Sequence, residues 1–396
     1  MISKLLSYTN AAGIEGKLLL FYPVLMAFIK RNRFQDSEIV VQTSITLQIV
    51  YIGIVFIILL GQLKNQKISL IVSIIKSSPL SYFFAFILIS FLSFIWSVNV
   101  LLTIYRSFEM LFFTWLIVAV MYNLFNRFYL DDIIKWLIFY AFWNLAFDTL
   151  GRFILTGNNP FTIPFIPSRL FFPLFTFIIL WYSKKLSLKI ITAAVIIFGI
   201  STKVFLGLSL GFVALLYSKS KLKALSIVLV VGLVFVLLSI DIQKLLLETI
   251  YYERDKISLE DSSGRDKIWG FLLAQGIERP VLGYGFASGE EYLLENSNFG
   301  GINAHNTFIS AFVGTGILGV LLISIFIFKT IYRIVFVKLS MKNLKPVLVG
   351  TAILLLVVSN SAPGFGGRVY GAWIPNMVLL VFIIFASWFK TKLSYK

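Results

Sequence analysis

Apolar runs long enough to cross a lipid bilayer recur along the whole chain, and no other feature restricts its fold as strongly. Residues 39–60, 224–240 and 307–328 carry no charged side chain and are made mostly of Ile, Leu, Val and Phe. About 20 such residues cover the hydrocarbon core of a membrane as an α-helix. In lipid each backbone N–H and C=O needs a partner within its own segment, so a run of this kind is read as helix. Over 396 residues, 59% are hydrophobic and the mean hydropathy is +0.91, well beyond the roughly half-apolar usage of a soluble domain. The expected fold class is an all-α polytopic membrane protein with about twelve transmembrane helices. They fall at 18–29, 39–60, 80–96, 110–125, 136–150, 170–182, 188–200, 204–217, 224–240, 307–328, 347–360 and 372–388. No tidy cleavage site follows the first run, so it is read as a retained span.

A net charge of +17 on a soluble domain would suggest nucleic acid. Here the cations sit in short connections between apolar runs, where they set membrane orientation, and nucleic acid is not expected as a partner. Alternate connections carry Lys64, Lys67 and Lys76; Arg127; Lys184 and Lys185; Lys219, Lys221 and Lys223; and Lys329, Arg333, Lys338, Lys342 and Lys345. These belong on the cytoplasmic side with both termini, although Lys30, Arg31 and Arg33 do not follow the rule. The long segment 241–304, between the ninth and tenth expected helices, then lies outside, with short amphipathic helices within it. It holds most of the acidic residues. Without a repeat or a Pro- or Gly-rich linker, 1–396 reads as a single transmembrane domain. The chain has no cysteine and one histidine, which excludes thiol chemistry, disulfides and a multi-histidine metal centre. No metal and no cofactor are expected.

Chemistry concentrates between Ser262 and Gly319. Ser262 or Ser263 followed by Asp266 reads as a helix start, and Gly276 with Pro280 as its end. Arg265 would occupy the first turn, where free N–H groups already favour an anion. Two uses are open to it: binding phosphate, or pairing with Asp261 or Asp266. His305 and Asn306 precede the run that begins at Thr307, which puts His305 in the first turn of a span. A positive helix end would hold the ring neutral, the state a general base requires. An interfacial histidine bonded to a neighbouring loop is the other reading.

Lys203 stands in a tight turn, where it either snorkels to headgroups or faces a phosphate. Arg169 and Arg368 have no local acidic partner and are candidates for a phosphate or sugar site. Arg106 with Glu109, and Asp148 with Arg152, are spaced to neutralise each other on helices. For Glu290 and Glu291 two uses are open, binding sugar hydroxyls or standing as solvated loop charges, and the second is preferred. The glycines of 314–319 match G-x-G-x-x-G, but no strand precedes them, so close helix packing is expected in place of a nucleotide site.

The stretches GRDKIWGFLLAQGIERPVLGYGF and NAHNTFISAFVGTGILG, with WSVNVLLTIYRSFEML more loosely, resemble the O-antigen ligase and O-antigen polymerase superfamily of bacterial membrane glycosyltransferases. The resemblance is carried by Arg before a Trp-containing helix, a P-x-L-G-x-G turn, and His-Asn leading into a span that reaches Gly-x-Leu-Gly. It implies His305 as catalytic base and Arg265 as a diphosphate-binding catalytic residue. Lys203 stands where the family usually has an arginine, which keeps the charge but loses the bidentate fork. Arg169 and Arg368 would assist. The implied activity is metal-independent, inverting polymerisation of undecaprenyl-diphosphate-linked oligosaccharide into O-antigen or into capsular or exopolysaccharide, at the outer face of the bacterial cytoplasmic membrane. Transfer to lipid A core by a ligase is the alternative. The implied partners are the lipid-linked oligosaccharide, an acceptor glycan or lipid A core, the bilayer, and a chain-length regulator protein. A transporter of the same lipid would spread its charges through the bundle and often show repeats, unlike this chain.

Overall fold

The computed structural model describes residues 12–33, 38–62, 67–156, 175–182, 186–190, 208–212, 265–297, 304–336, 344–359, 365–367 and 373–388, with residues 10, 192, 299 and 369. Among the described residues every regular element is helical. The principal elements are α1 (Gly13–Arg33), α2 (Glu38–Gln62), α3 (Lys67–Ser77), α4 (Leu80–Leu92), α5 (Val100–Arg127), α6 (Leu130–Thr156) and α7 (Thr176–Tyr182). They continue with α8 (Arg265–Glu278), α9 (Ser288–Glu295), α10 (Thr307–Phe336), α11 (Lys345–Ser359) and α12 (Trp373–Trp388).

Among the described residues, Val100–Arg127 and Thr307–Ile334 are long and apolar enough to cross a membrane. Ile71–Ser77 with Leu80–Ile95, bent by 97°, forms a third candidate if taken as one span. Thr46–Leu59, Lys345–Val357 and Trp373–Ser387 are shorter apolar helices. The expected runs 188–200, 204–217 and 224–240 lie mostly or wholly outside the described residues, as does the first part of the long segment, 241–264.

Two elements depart from their expected bounds. The connection around Lys67 and Lys76 is the helix α3, because Ile71, Ile74 and Ile75 bury one face at helical spacing. Helix α5 starts ten residues before the expected 110, at Val100, because Asn99 is extended and caps it, its Oδ1 accepting from Leu102 N at 3.1 Å. The roughly three turns so added carry Arg106 and Glu109, whose ion pair of 2.8 Å offsets part of the cost of lengthening an apolar helix with charge.

The core surrounds α12, whose residues are buried on every side from Trp373 through Ser387. It packs on α5, α10 and α11, while α4 lies along α10 and α1 lies along α6. Aromatic pairs fill the seams: Phe83 meets Phe326 at 5.0 Å between α4 and α10, and Tyr22 meets Phe113 edge-on at 5.0 Å between α1 and α5.

Helix α10 is broken at Gly316, where φ is 66° and ψ −162°. The chain between α8 and α9 pairs its backbone with the break. Ile317 N donates to Pro280 O at 2.8 Å, Tyr284 N to Val313 O at 2.8 Å, and Gly285 N to Gly314 O at 3.0 Å. A Cβ at Gly316 would collide with the backbone of Val281 and Leu282. The glycines of 314–319 therefore serve more than helix packing. Gly316 permits both the left-handed backbone and the approach of another strand of chain.

Candidate active site

Helix α8 is described from Arg265 onward, residues 262–264 lying outside the described residues, and it runs to Glu278 before Pro280, where the sequence signals end it. One turn after Arg265, on the same face, Trp269 donates from Nε1 to Ala304 O at 2.8 Å. Ala304 N donates to Glu290 Oε1. Both backbone polar groups of the residue preceding His305 are thus held by side chains, one from α8 and one from α9. Ser310 Oγ donates to the same Glu290 oxygen at 3.0 Å, tying the carboxylate to α10.

His305 itself is half-buried, with φ of +53°. Such a backbone is uncommon outside glycine and persists where the surroundings fix it. It precedes the helix and is not in its first turn. The reason is Asn306, whose Oδ1 accepts from Phe308 N at 2.9 Å and Ile309 N at 3.2 Å, so the asparagine is the N-cap and Thr307 the first helical residue. In the chain His305 still stands just before the positive end of α10.

Glu290 is 1% exposed, which corrects its reading as a solvated charge. α9 packs on α10, and that packing takes the carboxylate out of water. Trp269, Glu290 and Asn306 are the residues that sequence reasoning did not place in the site. Asn306 carried a legible signal, an Asn directly before an apolar run.

The loop after α8 is anchored twice more. Tyr284 is buried, its hydroxyl 3.1 Å from both Gln275 O and Glu278 Oε2, and Arg279 lies over its ring at 4.6 Å. Burial, then the bond to Glu278, push the Tyr284 phenol above its ordinary range, so the hydroxyl remains a donor. The chain linking α4 to α5 forms the opposite wall. Trp96 Nε1 donates to Leu282 O at 2.8 Å, Val98 N to Tyr284 O at 3.1 Å, and Thr103 Oγ1 to Phe286 O at 3.1 Å. Ser97, Thr103 and Ser288 join their hydroxyls at 2.7 Å. The stretch containing Trp96-Ser97-Val98-Asn99 is thereby brought against the P-x-L-G-x-G turn, far from it in sequence.

The pair Arg106 and Glu109 forms as its spacing indicates, and Gln48 Nε2 from α2 adds a bond to Glu109 Oε1 at 2.6 Å. For Arg265 the backbone position alone is described. Lys203, Arg169 and Arg368 lie outside the described residues, and so do the Asp148 and Arg152 side chains and the N-cap candidates Ser262 and Ser263.

Residues 188–324 match the family model described as O-antigen ligase. The chain carries an O-antigen ligase family domain. A comparison with curated proteins finds no match. The O-antigen ligase domain includes α8, α9, the break in α10 and the positions of Lys203, Arg265 and His305; Arg169 and Arg368 fall outside it. The family is one of glycosyltransferase-like membrane enzymes that use lipid-linked glycans, and the clamp on Ala304 and His305 lies inside the matched segment.

Proposed function

We propose that this protein polymerises undecaprenyl-diphosphate-linked oligosaccharide units at the outer face of the bacterial cytoplasmic membrane. The observation that carries this reading is His305, held in a left-handed backbone between Trp269, Glu290 and the Asn306 cap, within the O-antigen ligase domain. A base acts well when its position is fixed before substrate arrives.

In the proposed reaction His305 takes the proton of an acceptor sugar hydroxyl as that oxygen attacks the anomeric carbon of the donor. The bond from this carbon to the diphosphate oxygen breaks, and the glycosyl chain is transferred with inversion. Undecaprenyl diphosphate leaves with the bonding electrons, and Arg265 and Lys203, assisted by Arg169 and Arg368, stabilise its growing charge. Arginine and lysine supply the neutralisation a metal would otherwise give, so activity should survive chelation of divalent ions unchanged. Loss of transfer in EDTA, restored by magnesium, would contradict that assignment.

A ligase giving the chain to lipid A core is the second reading, favoured by the description of the matched family. The two separate on the acceptor. The full chain reconstituted in liposomes with undecaprenyl-diphosphate repeat units, analysed on gels, should build a ladder without lipid A core. A strict requirement for core assigns the ligase reaction, and no transfer to either acceptor overturns both readings.

A further inference from the structure

A cationic pocket lies at the end of the bundle away from His305. From the break at Gly316, α10 runs on for about 25 Å at 1.5 Å per residue to reach Arg333. There the sharp turn between α3 and α4 meets the last turns of α10 and encloses about 330 Å³, lined by Lys76, Ser77, Ser78, Tyr82, Lys329 and Arg333 among others. Among the described residues no lining residue is acidic.

The cations are arranged by the fold. Lys329 Nζ donates to Tyr82 OH at 2.5 Å and lies over that ring at 4.3 Å. Arg333 Nη1 reaches Ser77 O at 3.5 Å, while its Nε is buried with no hydrogen-bond partner among the described residues. Lys76, in the last turn of α3, is exposed at the rim. Holding three positive charges around one space is unfavourable unless an anion shares them. A buried guanidinium N–H without an acceptor points to the same missing group.

Beside the pocket, Phe328 and Tyr332 are 67% and 53% exposed, their rings stacked at 6.3 Å. An aromatic strip on a membrane helix faces acyl chains, with the polar ends at headgroup depth. We infer that this pocket binds the phosphate of an anionic phospholipid, with Lys76, Lys329 and Arg333 around the phosphate and the acyl chain lying along Phe328 and Tyr332. The site does not depend on the glycan chemistry at the other end of the molecule.

The test uses the full-length protein, delipidated in neutral detergent, with binding read by native mass spectrometry. Dihexanoyl phosphatidylglycerol, dihexanoyl phosphatidylcholine and glycerol 1-phosphate are titrated separately. Phosphatidylglycerol is expected to bind at least about tenfold more tightly than phosphatidylcholine, at about fivefold per surface cation. Glycerol 1-phosphate should not bind over the same range. The double variant Lys329→Gln/Arg333→Gln should weaken phosphatidylglycerol about 25-fold and leave phosphatidylcholine unchanged. Lys76→Gln, at an exposed helix end, tests the same site with little risk to folding and should weaken it about fivefold. Equal binding of the two lipids by the native chain, or an unaltered preference in both variants, overturns the inference. Binding of glycerol 1-phosphate as tight as the lipid overturns the lipid assignment and makes the ligand a free phosphate ester.

Discussion

Ala304 shows how a single residue can be fixed from two sides. Its carbonyl is held by Trp269 and its N–H by Glu290, and the next residue is His305. Glu290→Ala would leave the buried Ala304 N–H and the Ser310 hydroxyl without that acceptor, at about 1–3 kcal/mol. A lowered thermal midpoint and a fall in kcat of at least about tenfold, with KM little changed, are expected, because a base displaced by a fraction of an ångström loses its alignment. Trp269→Phe keeps the ring and removes one bond worth about 1 kcal/mol. It should lower kcat less than Glu290→Ala does, and equal or larger loss would place the role of Trp269 elsewhere. At this scale the sequence exposed His305 and, through its position before an apolar run, Asn306. It did not expose Glu290. A glutamate in a segment rich in acids has no periodic signature, and its burial depends on α9 meeting Ser310 on a different helix.

At the scale of elements, the break in α10 governs how the loop is held. Gly316→Ala places a side chain at φ 66° and against the backbone of Val281 and Leu282. The left-handed backbone alone costs about 1–2 kcal/mol, and the collision adds to it, so the variant should lose thermal stability by more than about 2 kcal/mol and lose activity with it. Wild-type stability in Gly316→Ala would contradict the backbone pairing. The same position illustrates what a linear reading reaches. The C-terminal limit of α8 was legible because Gly276 and Pro280 are local signals. The pairing of 280–285 with 313–317 was not, because it joins an aperiodic loop to a break inside an apolar helix, across α9. Apolar periodicity likewise announced α10, while its kink rests on one glycine whose purpose is visible only beside its partner.

Across the whole molecule, charge is placed in three ways. Glu109 is fully buried and shared between Arg106 of its own helix and Gln48 of α2. Glu109→Ala would leave the Arg106 guanidinium largely buried without its carboxylate, at about 3–5 kcal/mol, and folded yield in detergent should fall sharply. Spacing alone announced the Arg106–Glu109 pair, whereas the link to Gln48 required the packing of α2 on α5. A second group of cations surrounds the pocket at the far end of α10. The third, Arg265 and Lys203 with His305, belongs to the proposed function, which depends on their acting on the diphosphate and the acceptor hydroxyl. The most direct test is transfer by His305→Ala in liposomes containing undecaprenyl-diphosphate repeat units, compared with the unaltered protein at equal folded amount. Removal of a general base should slow transfer by about 10²–10⁴-fold while donor binding persists. Transfer at the unaltered rate would show that His305 is not the base.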